Sequence, residues 1–404
     1  VHEGARAAVT ATLAEVVAAL EARYPPRTAE SWDRVGLAAG DPAAPVRRVL
    51  LAVDPVAAVV DEALAWDADL LVTHHPLLLR PVHSVAATTY KGALLHRLVR
   101  AGCGLYTAHT NADAAHGGVA EALADAVGLV GTEPLVPADA PALDKHVVMV
   151  PVAAADALVD ALAEAGAGQV GAYARCAWTT TGEGTFTPLP GASPAVGAVG
   201  RRETVAEARV EMVAPRHLRG RVVAAMRAAH PYEEPAFDVL EAAALPGRTG
   251  LGRVGTLPTP LPLHAFAAAV ARAVPATAQG VRYAGDPDMP VRRVAVLGGS
   301  GDSLFDAVRA ADVDAYVTAD LRHHPASEQQ ERAAFEAGDG PPRPALVDLA
   351  HSASEWLWLP RAADALRADL AAAGTTVETR VSTRRTDPWT GHVPQTSPPE
   401  GTTT

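Results

Sequence analysis

The sequence predicts an α/β fold in which two similar βαβ-containing halves form one domain, with a ferredoxin-like α+β domain inserted between them. Two observations carry this prediction. Residues 45–73, "PVRRVLLAVDPVAAVVDEALAWDADLLVT", and residues 290–318, "PVRRVAVLGGSGDSLFDAVRAADVDAYVT", align without a gap. Pro45-Val46-Arg47-Arg48-Val49 falls on Pro290-Val291-Arg292-Arg293-Val294, and Asp67, Asp69, Val72 and Thr73 fall on Asp312, Asp314, Val317 and Thr318. Agreement at both ends of such a window is the mark of two copies of one unit. The stretch between the copies, residues 143–243, reads strand, helix, strand, strand, helix, strand, the order of a ferredoxin-like module.

Taken in order, "VTATLAEVVAALEARY" near the N-terminus spaces its apolar residues for a helix, with Glu15, Glu21 and Arg23 between them. That layout is an amphipathic first helix, unlike the basic-then-apolar order of a signal peptide. Each repeat copy is an apolar run, a break (Asp54-Pro55, or Gly298-Gly299-Ser300-Gly301), a helical stretch and a second apolar run. Such a βαβ unit implies a parallel sheet covered by helices. In the insert, "KHVVMVPVAAADALVDALAEAGAG" gives a strand and a helix closed by a glycine-rich turn, and "TTTGEGTFTPLPGASPAVG" an exposed hairpin or long loop. "ARVEMVAP" is a strand, "RHLRGRVVAAMRAAH" a helix, and "PYEEPAFDVLEA" a turn and strand. The expected organisation is a first half over 1–142, the insert over 143–243, a second half over 244–380, and a polar, Pro- and Thr-rich tail over 381–404 that composition marks as disordered.

With 404 residues, 49% of them hydrophobic and 4% aromatic, the chain can bury a large core of Ala, Val and Leu. A net charge of −12 argues against sequence-blind binding to nucleic acid. Cys103 and Cys176 are the two cysteines, too few for a disulfide framework or a cysteine zinc knuckle, and point to a reducing cytoplasm. No segment reaches the roughly 20 uncharged apolar residues of a membrane span, so no membrane partner is expected.

The chemistry is concentrated at three strand ends. In "LLVTHHPLLLR", 70–80, His74 and His75 follow the second strand of the first copy, and open parallel sheets collect functional groups at such carboxyl ends. "LYTAHTNADAAHGG", 105–118, supplies His109, Asn111, Asp113 and His116; in the alternative reading Asp113 or Asn111 caps the helix that follows. "ALVDLAHSASEWLW", 345–358, supplies His351 and Glu355, four apart and on one helix face; in the alternative reading Glu355 closes a capping box on Ser352. His74, His75, Asp113, His351 and Glu355 together offer three imidazoles and two carboxylates. Five donors exceed the four of a closed zinc site and suit two ions sharing a carboxylate. The mixed nitrogen and oxygen set accepts Zn, Mn, Fe, Co or Ni.

"WDRVGL" at 32–37, "THHPLLLRP" at 73–81, "AHTNADAAHGGV" at 108–119, "GGSG" at 298–301 and "DLAHSASEW" at 348–356 occur in one order. That series resembles the dinuclear-metal-centre proteins known as GTP cyclohydrolase 1 type 2 homologues, related to the NGG1-interacting-factor-like proteins, from about residue 10 to 380. "GEGTFTPLPGASPAVG" and "HPYEEPAFD" resemble the longer members, whose middle domain is PII/CutA-like. The resemblance implies that His75 and Asp113 hold one divalent ion, His74 and His351 the other, and that Glu355 bridges them. It also implies a homo-hexameric ring with the metal centres facing an internal cavity. Many relatives have Gly where this chain has Ala319, and Tyr-His where it has His323-His324. The latter pair reads as surface histidines, with a supporting or acid–base role near the cavity as the alternative.

Two functions follow as expectations. One is a metal-dependent hydrolase whose metal-bound hydroxide attacks a nucleotide-like substrate. The other is a non-catalytic metal-binding or regulatory assembly with a ligand-sensing insert. "GGSG" can lend backbone N–H groups to a phosphate, but it matches neither GxGxxG nor GK[ST] and reads as a tight turn.

Overall fold

The computed structural model describes residues 9–394, which divide into two compact units, residues 9–138 with 248–394 and residues 139–247. Within the larger unit each repeat copy builds the same βαβ turn. In the first, strands Arg48–Ala52 and Leu70–Thr73 pair in parallel across helix Ala57–Ala65. In the second, strands Pro290–Ser300 and Ala315–Ala319 pair in parallel across helix Phe305–Ala310.

The residues common to both copies are those that close this turn. Asp69 Oδ2 accepts hydrogen bonds from the amides of Arg47 and Arg48 at 2.8 and 3.0 Å, and Asp314 Oδ2 accepts from Arg292 and Arg293 at 2.8 Å each. Arg48 and Arg293 in turn donate to the helix-end carbonyls of Trp66 and Ala311. Asp67 and Asp312, at φ 52° and 48°, make the left-handed step out of the helix that short polar side chains tolerate.

Each copy seeds a sheet. The first is five-stranded, in the order Glu378–Val381, Arg48–Ala52, Leu70–Thr73, Gly104–Thr107, Gly36–Ala39, parallel except at the last pair. The second is six-stranded, in the order Arg282–Ala284, Ala345–Leu349, Ala315–Ala319, Pro290–Ser300, Pro246–Pro262, Val130–Asp139, with its three central strands parallel. Alternate residues bury opposite faces. Val49 and Leu51 join Leu13, Val16 and Trp358, while Leu50 and Ala52 join Val59, Leu94 and Leu98. In the second sheet Val294 and Val296 meet Phe266, and Ala295 and Leu297 meet Phe305 and Val308.

The first helix covers Leu13–Arg23 with a capping box, Thr12 Oγ1 accepting from the Glu15 amide and Glu15 accepting from the Thr12 amide. Ahead of it, Val9–Thr12 forms a strand where helical spacing alone gave helix. It pairs with Thr375–Thr376 and Pro45–Val46, and distant partners override local periodicity there.

The smaller unit has an antiparallel sheet ordered Phe237–Glu241, Leu143–Pro151, Glu203–Pro215, Trp178–Phe186. Helices Ala155–Glu164 and Arg219–Ala229 bury Leu158, Leu162, Val222 and Met226 against Val148, Val150, Val210 and Met212. The segment expected as a hairpin or long loop contributes the strand Trp178–Phe186 before it loops out.

The segment expected as disordered from residue 381 is tied down where it leaves the sheet. Ser382 donates to Glu62 and accepts from Trp356 Nε1, and Thr386 donates to Asp54. Residues 395–404 of that expected tail lie outside the described part. No helix among the described residues is long and apolar enough to cross a membrane.

Candidate metal centre

All five candidate residues sit at strand ends in the larger unit and face one another. His74 and His75 follow Leu70–Thr73, Asp113 lies in the helical turn Thr110–Ala114 after Gly104–Thr107, and His351 and Glu355 lie in helix His351–Trp356 after Ala345–Leu349. Both capping alternatives fall away. The cap of helix Val119–Ala126 is Gly118, and that of His351–Trp356 is Ala350, with no side-chain cap at either. Asn111 instead donates to the Tyr24 carbonyl at 2.7 Å.

Each histidine is held by its outer nitrogen. His74 Nδ1 donates to the Ala108 carbonyl at 2.9 Å, His75 Nδ1 to Asp54 at 2.7 Å, and His351 Nδ1 to Asp320 at 2.7 Å. A carbonyl or carboxylate acceptor fixes the proton on Nδ1 and leaves the Nε2 lone pair pointing inward, the arrangement of a metal-ligating imidazole. Glu355 lies in the middle. Its Oε1 is 2.9 Å from His351 Nε2 and 3.5 Å from His74 Nε2, and its Oε2 is 3.2 Å from His75 Nε2. Asp113 Oδ1 stands 3.7 Å from His74 Nε2, and the Nε2 atoms of His75 and His351 face each other at 3.2 Å.

Burial makes this arrangement costly unless positive charge is present. His74 Nε2, Asp113 Oδ1 and Glu355 Oε2 are buried without a hydrogen-bond partner, and such atoms each cost about 1–3 kcal/mol. Burial raises the Glu355 carboxyl, but His75, His74 and His351 around it prevail and hold it well below the carboxylate range. Burial lowers His351, but Glu355 and Asp320 outweigh it and push the imidazole up to about 10. In the same way Glu355 and Asp54 hold His75 well above its usual value against burial. Asp113, in contrast, is raised by burial despite His74 beside it. One nitrogen each from His75 and His351 and one oxygen from Glu355 lie within 4.8 Å of one another, close enough to share an ion.

Glycine at the end of the second copy's first strand has a packing cause. A Cβ on Gly299, which sits at φ +73°, would lie 2.7 Å from Glu355 Oε1, and its amide donates to Ser354 Oγ at 2.9 Å. That amide is spent on the site's own framework. His323 and His324 are exposed at the start of helix His323–Ala337, the surface position expected, and His116 is exposed beside Glu121.

A family model described as Duf34/NIF3 (NGG1p interacting factor 3) matches residues 11–388. The chain belongs to the DUF34/NIF3 family. It is 52% identical over 382 residues to the protein named GTP cyclohydrolase 1 type 2 homolog in Mycobacterium leprae, covering 94% of this chain and 96% of that one. It is 38% identical to the Streptomyces coelicolor protein of the same name, with 94% of each chain covered. Among solved structures, a Bacillus cereus protein related to NIF3 matches at TM-score 0.75 and 35% identity, over 95% of this chain and 99% of that one. A Staphylococcus aureus protein matches at TM-score 0.79 and 27% identity, over 94% and 99%.

Three further residues belong to the same cluster, and His109, supplied by the second strand end but outside the five-donor set, is a fourth. Asp54 and Asp320 each anchor a histidine, and Asp320 occupies in the second copy the position of His75 in the first. Asp33 anchors His109 at 2.8 Å, and His109 packs on His74 with ring centroids 5.1 Å apart. A signal for His109 exists: "AHTNAD" at 108–113 parallels "AHSASE" at 350–355, with a carboxylate four residues after the histidine in both.

Proposed function

We propose that His74, His75, Asp113, His351 and Glu355 hold two divalent cations, Zn, Mn, Fe, Co or Ni, and that the protein is a metal-dependent hydrolase of a nucleotide-like substrate. The observation that carries this is the convergence of three orphaned buried atoms, on His74, Asp113 and Glu355, beside inward-facing imidazole nitrogens. Such a set is satisfied by cations, and the residue types fit borderline divalent metals. The two oxygens of Glu355 divide the histidines into His74 with His351 and His75 alone, which supports Glu355 as the bridge. When bound, the ions would supply Lewis acidity and lower the pKa of a coordinated water toward neutrality.

The chain's own residues prepare that chemistry. Asp54, Asp320 and the Ala108 carbonyl fix the three imidazoles before any ligand arrives. Trp358, fully buried with its ring 5.6 Å from that of His74, keeps water from one side of the pocket. We take the smaller unit as a ferredoxin-like, PII/CutA-like insert and the protein as a cytoplasmic homo-hexamer; light scattering on the pure protein checks the assembly.

The deciding experiment is metal analysis of protein purified without chelators, followed by incubation with GTP, cyclic dinucleotides and simple phosphodiesters. About two ions per chain are expected, with turnover that disappears in Glu355→Gln; metal-free protein would refute the reading. A second reading, a non-catalytic assembly with a ligand-sensing insert, has its own support. In the smaller unit a cavity of about 380 Å³ is lined by Phe186, Tyr232 and Glu207, and the Tyr232 hydroxyl is buried without a hydrogen bond. Metal without turnover across the whole panel would favour it.

A further inference from the structure

We propose that His109, held by Asp33, is a sixth donor to the metal pair and the first half's counterpart of His351; the inference rests on the metal-centre reading above. Three independent features lead there. The first is position. His109 and His351 each follow the third parallel strand of their half, and each precedes by four residues a carboxylate of the cluster, Asp113 or Glu355. Two copies of one unit have placed the same pair of donors at the same strand end.

The second feature is orientation. His109 Nδ1 donates to Asp33 Oδ1 at 2.8 Å, as His75 does to Asp54 and His351 to Asp320. Asp33 is buried, and its other oxygen accepts from the Thr110 amide and hydroxyl, so the carboxylate is fixed on both sides. An anchored carboxylate on the far nitrogen is the usual support of a ligating imidazole and leaves Nε2 as the free lone pair. The third is reach. One ring nitrogen from each of His74, His75 and His109 lies within 4.8 Å of the other two. The His109 ring packs edge-on to both neighbours, at centroid distances of 5.1 and 5.4 Å, with Trp32 5.9 Å away. A histidine placed only to fill space does not need a buried carboxylate behind it and two candidate ligands in front of it.

The test is cobalt titration of chelator-stripped full-length protein, read by the visible Co²⁺ bands and by competition with a chromophoric chelator. His109→Gln should weaken one of the two sites at least ~100-fold and shift the visible bands, because a nitrogen donor has gone. Asp33→Asn keeps the imidazole and should weaken the same site about 10-fold, the effect of losing an outer-shell partner. His116→Gln, an exposed imidazole nearby in sequence, should match wild type. Bands unchanged in His109→Gln, whether or not affinity falls, would overturn direct coordination. Should His109→Gln fail to fold by circular dichroism, Asp33→Asn decides, and wild-type affinity in that variant overturns the proposal. Wild-type protein that takes up no cobalt is a different result and sinks the metal-centre reading itself.

Discussion

Asp54 and Asp320 do the same job for two histidines in different surroundings, and the difference sets the size of a mutational effect. Both accept from a histidine Nδ1 at 2.7 Å, but the Asp54 side chain is 24% exposed and that of Asp320 56%. Replacing either by Asn keeps an acceptor oxygen and removes the charge. A hydrogen bond to a charged group is worth about 1.5–3 kcal/mol and a neutral one about 0.5–1.5. For the shielded Asp54 the loss is therefore about 1–1.5 kcal/mol, roughly ten-fold in metal affinity. At Asp320 solvent screens the interaction, and the loss falls to about two- or three-fold. Metal affinities of Asp54→Asn, Asp320→Asn and wild type, measured by chelator competition at one pH and salt concentration, should rank in that order of damage. Wild-type affinity in Asp54→Asn, or a larger loss in Asp320→Asn, would refute the argument that these carboxylates act through the histidines they hold.

Three further outcomes are expected. Burial pushes the Cys103 thiol up to about 12, so at pH 8 about one molecule in 10⁴ carries a thiolate there; a thiol reagent should count one fast cysteine, Cys176, in native protein and two after denaturation, and two fast thiols would contradict the packing. Arg219 and Arg216 hold the Asp144 carboxylate below its ordinary 3.8. Its stabilisation is thus complete above that value and lost as pH falls toward the native one, and Asp144→Asn should flatten the acid side of the stability profile, measured by urea melts from pH 5 to 2.5. Trp358→Ala empties a fully buried site and strands the Tyr24 hydroxyl, to which Trp358 Nε1 donates at 3.0 Å; denaturant melts should show a loss of about 3–5 kcal/mol, and a loss under 1 would mean that the site collapses.

The repeat was legible because its shared residues close identical turns: Asp69 and Asp314 each accept the two amides of an arginine pair on one carboxylate oxygen. The five candidate donors could be placed at strand ends because parallel strands direct their carboxyl ends to one edge. What stayed hidden depends on partners far along the chain. Val9–Thr12 looks helical until Thr375 and Val46 are beside it. Asp54 looked like a turn residue, Asp320 lay in a stretch read for its neighbouring histidines, and Asp33 is 76 residues from the imidazole it holds. Anchoring residues carry no spacing of their own; the histidine they serve has to be located in space first.

The facing nitrogens of His75 and His351 are separated by 276 positions, and this spacing imposes a timetable on synthesis. At roughly 5–20 residues per second, a ribosome needs about 15–55 s to travel from one to the other. Throughout that interval the emerging chain shows its adjacent histidines to the cell without the glutamate that belongs between them, and assembly of the complete pocket must wait until position 355 has been made.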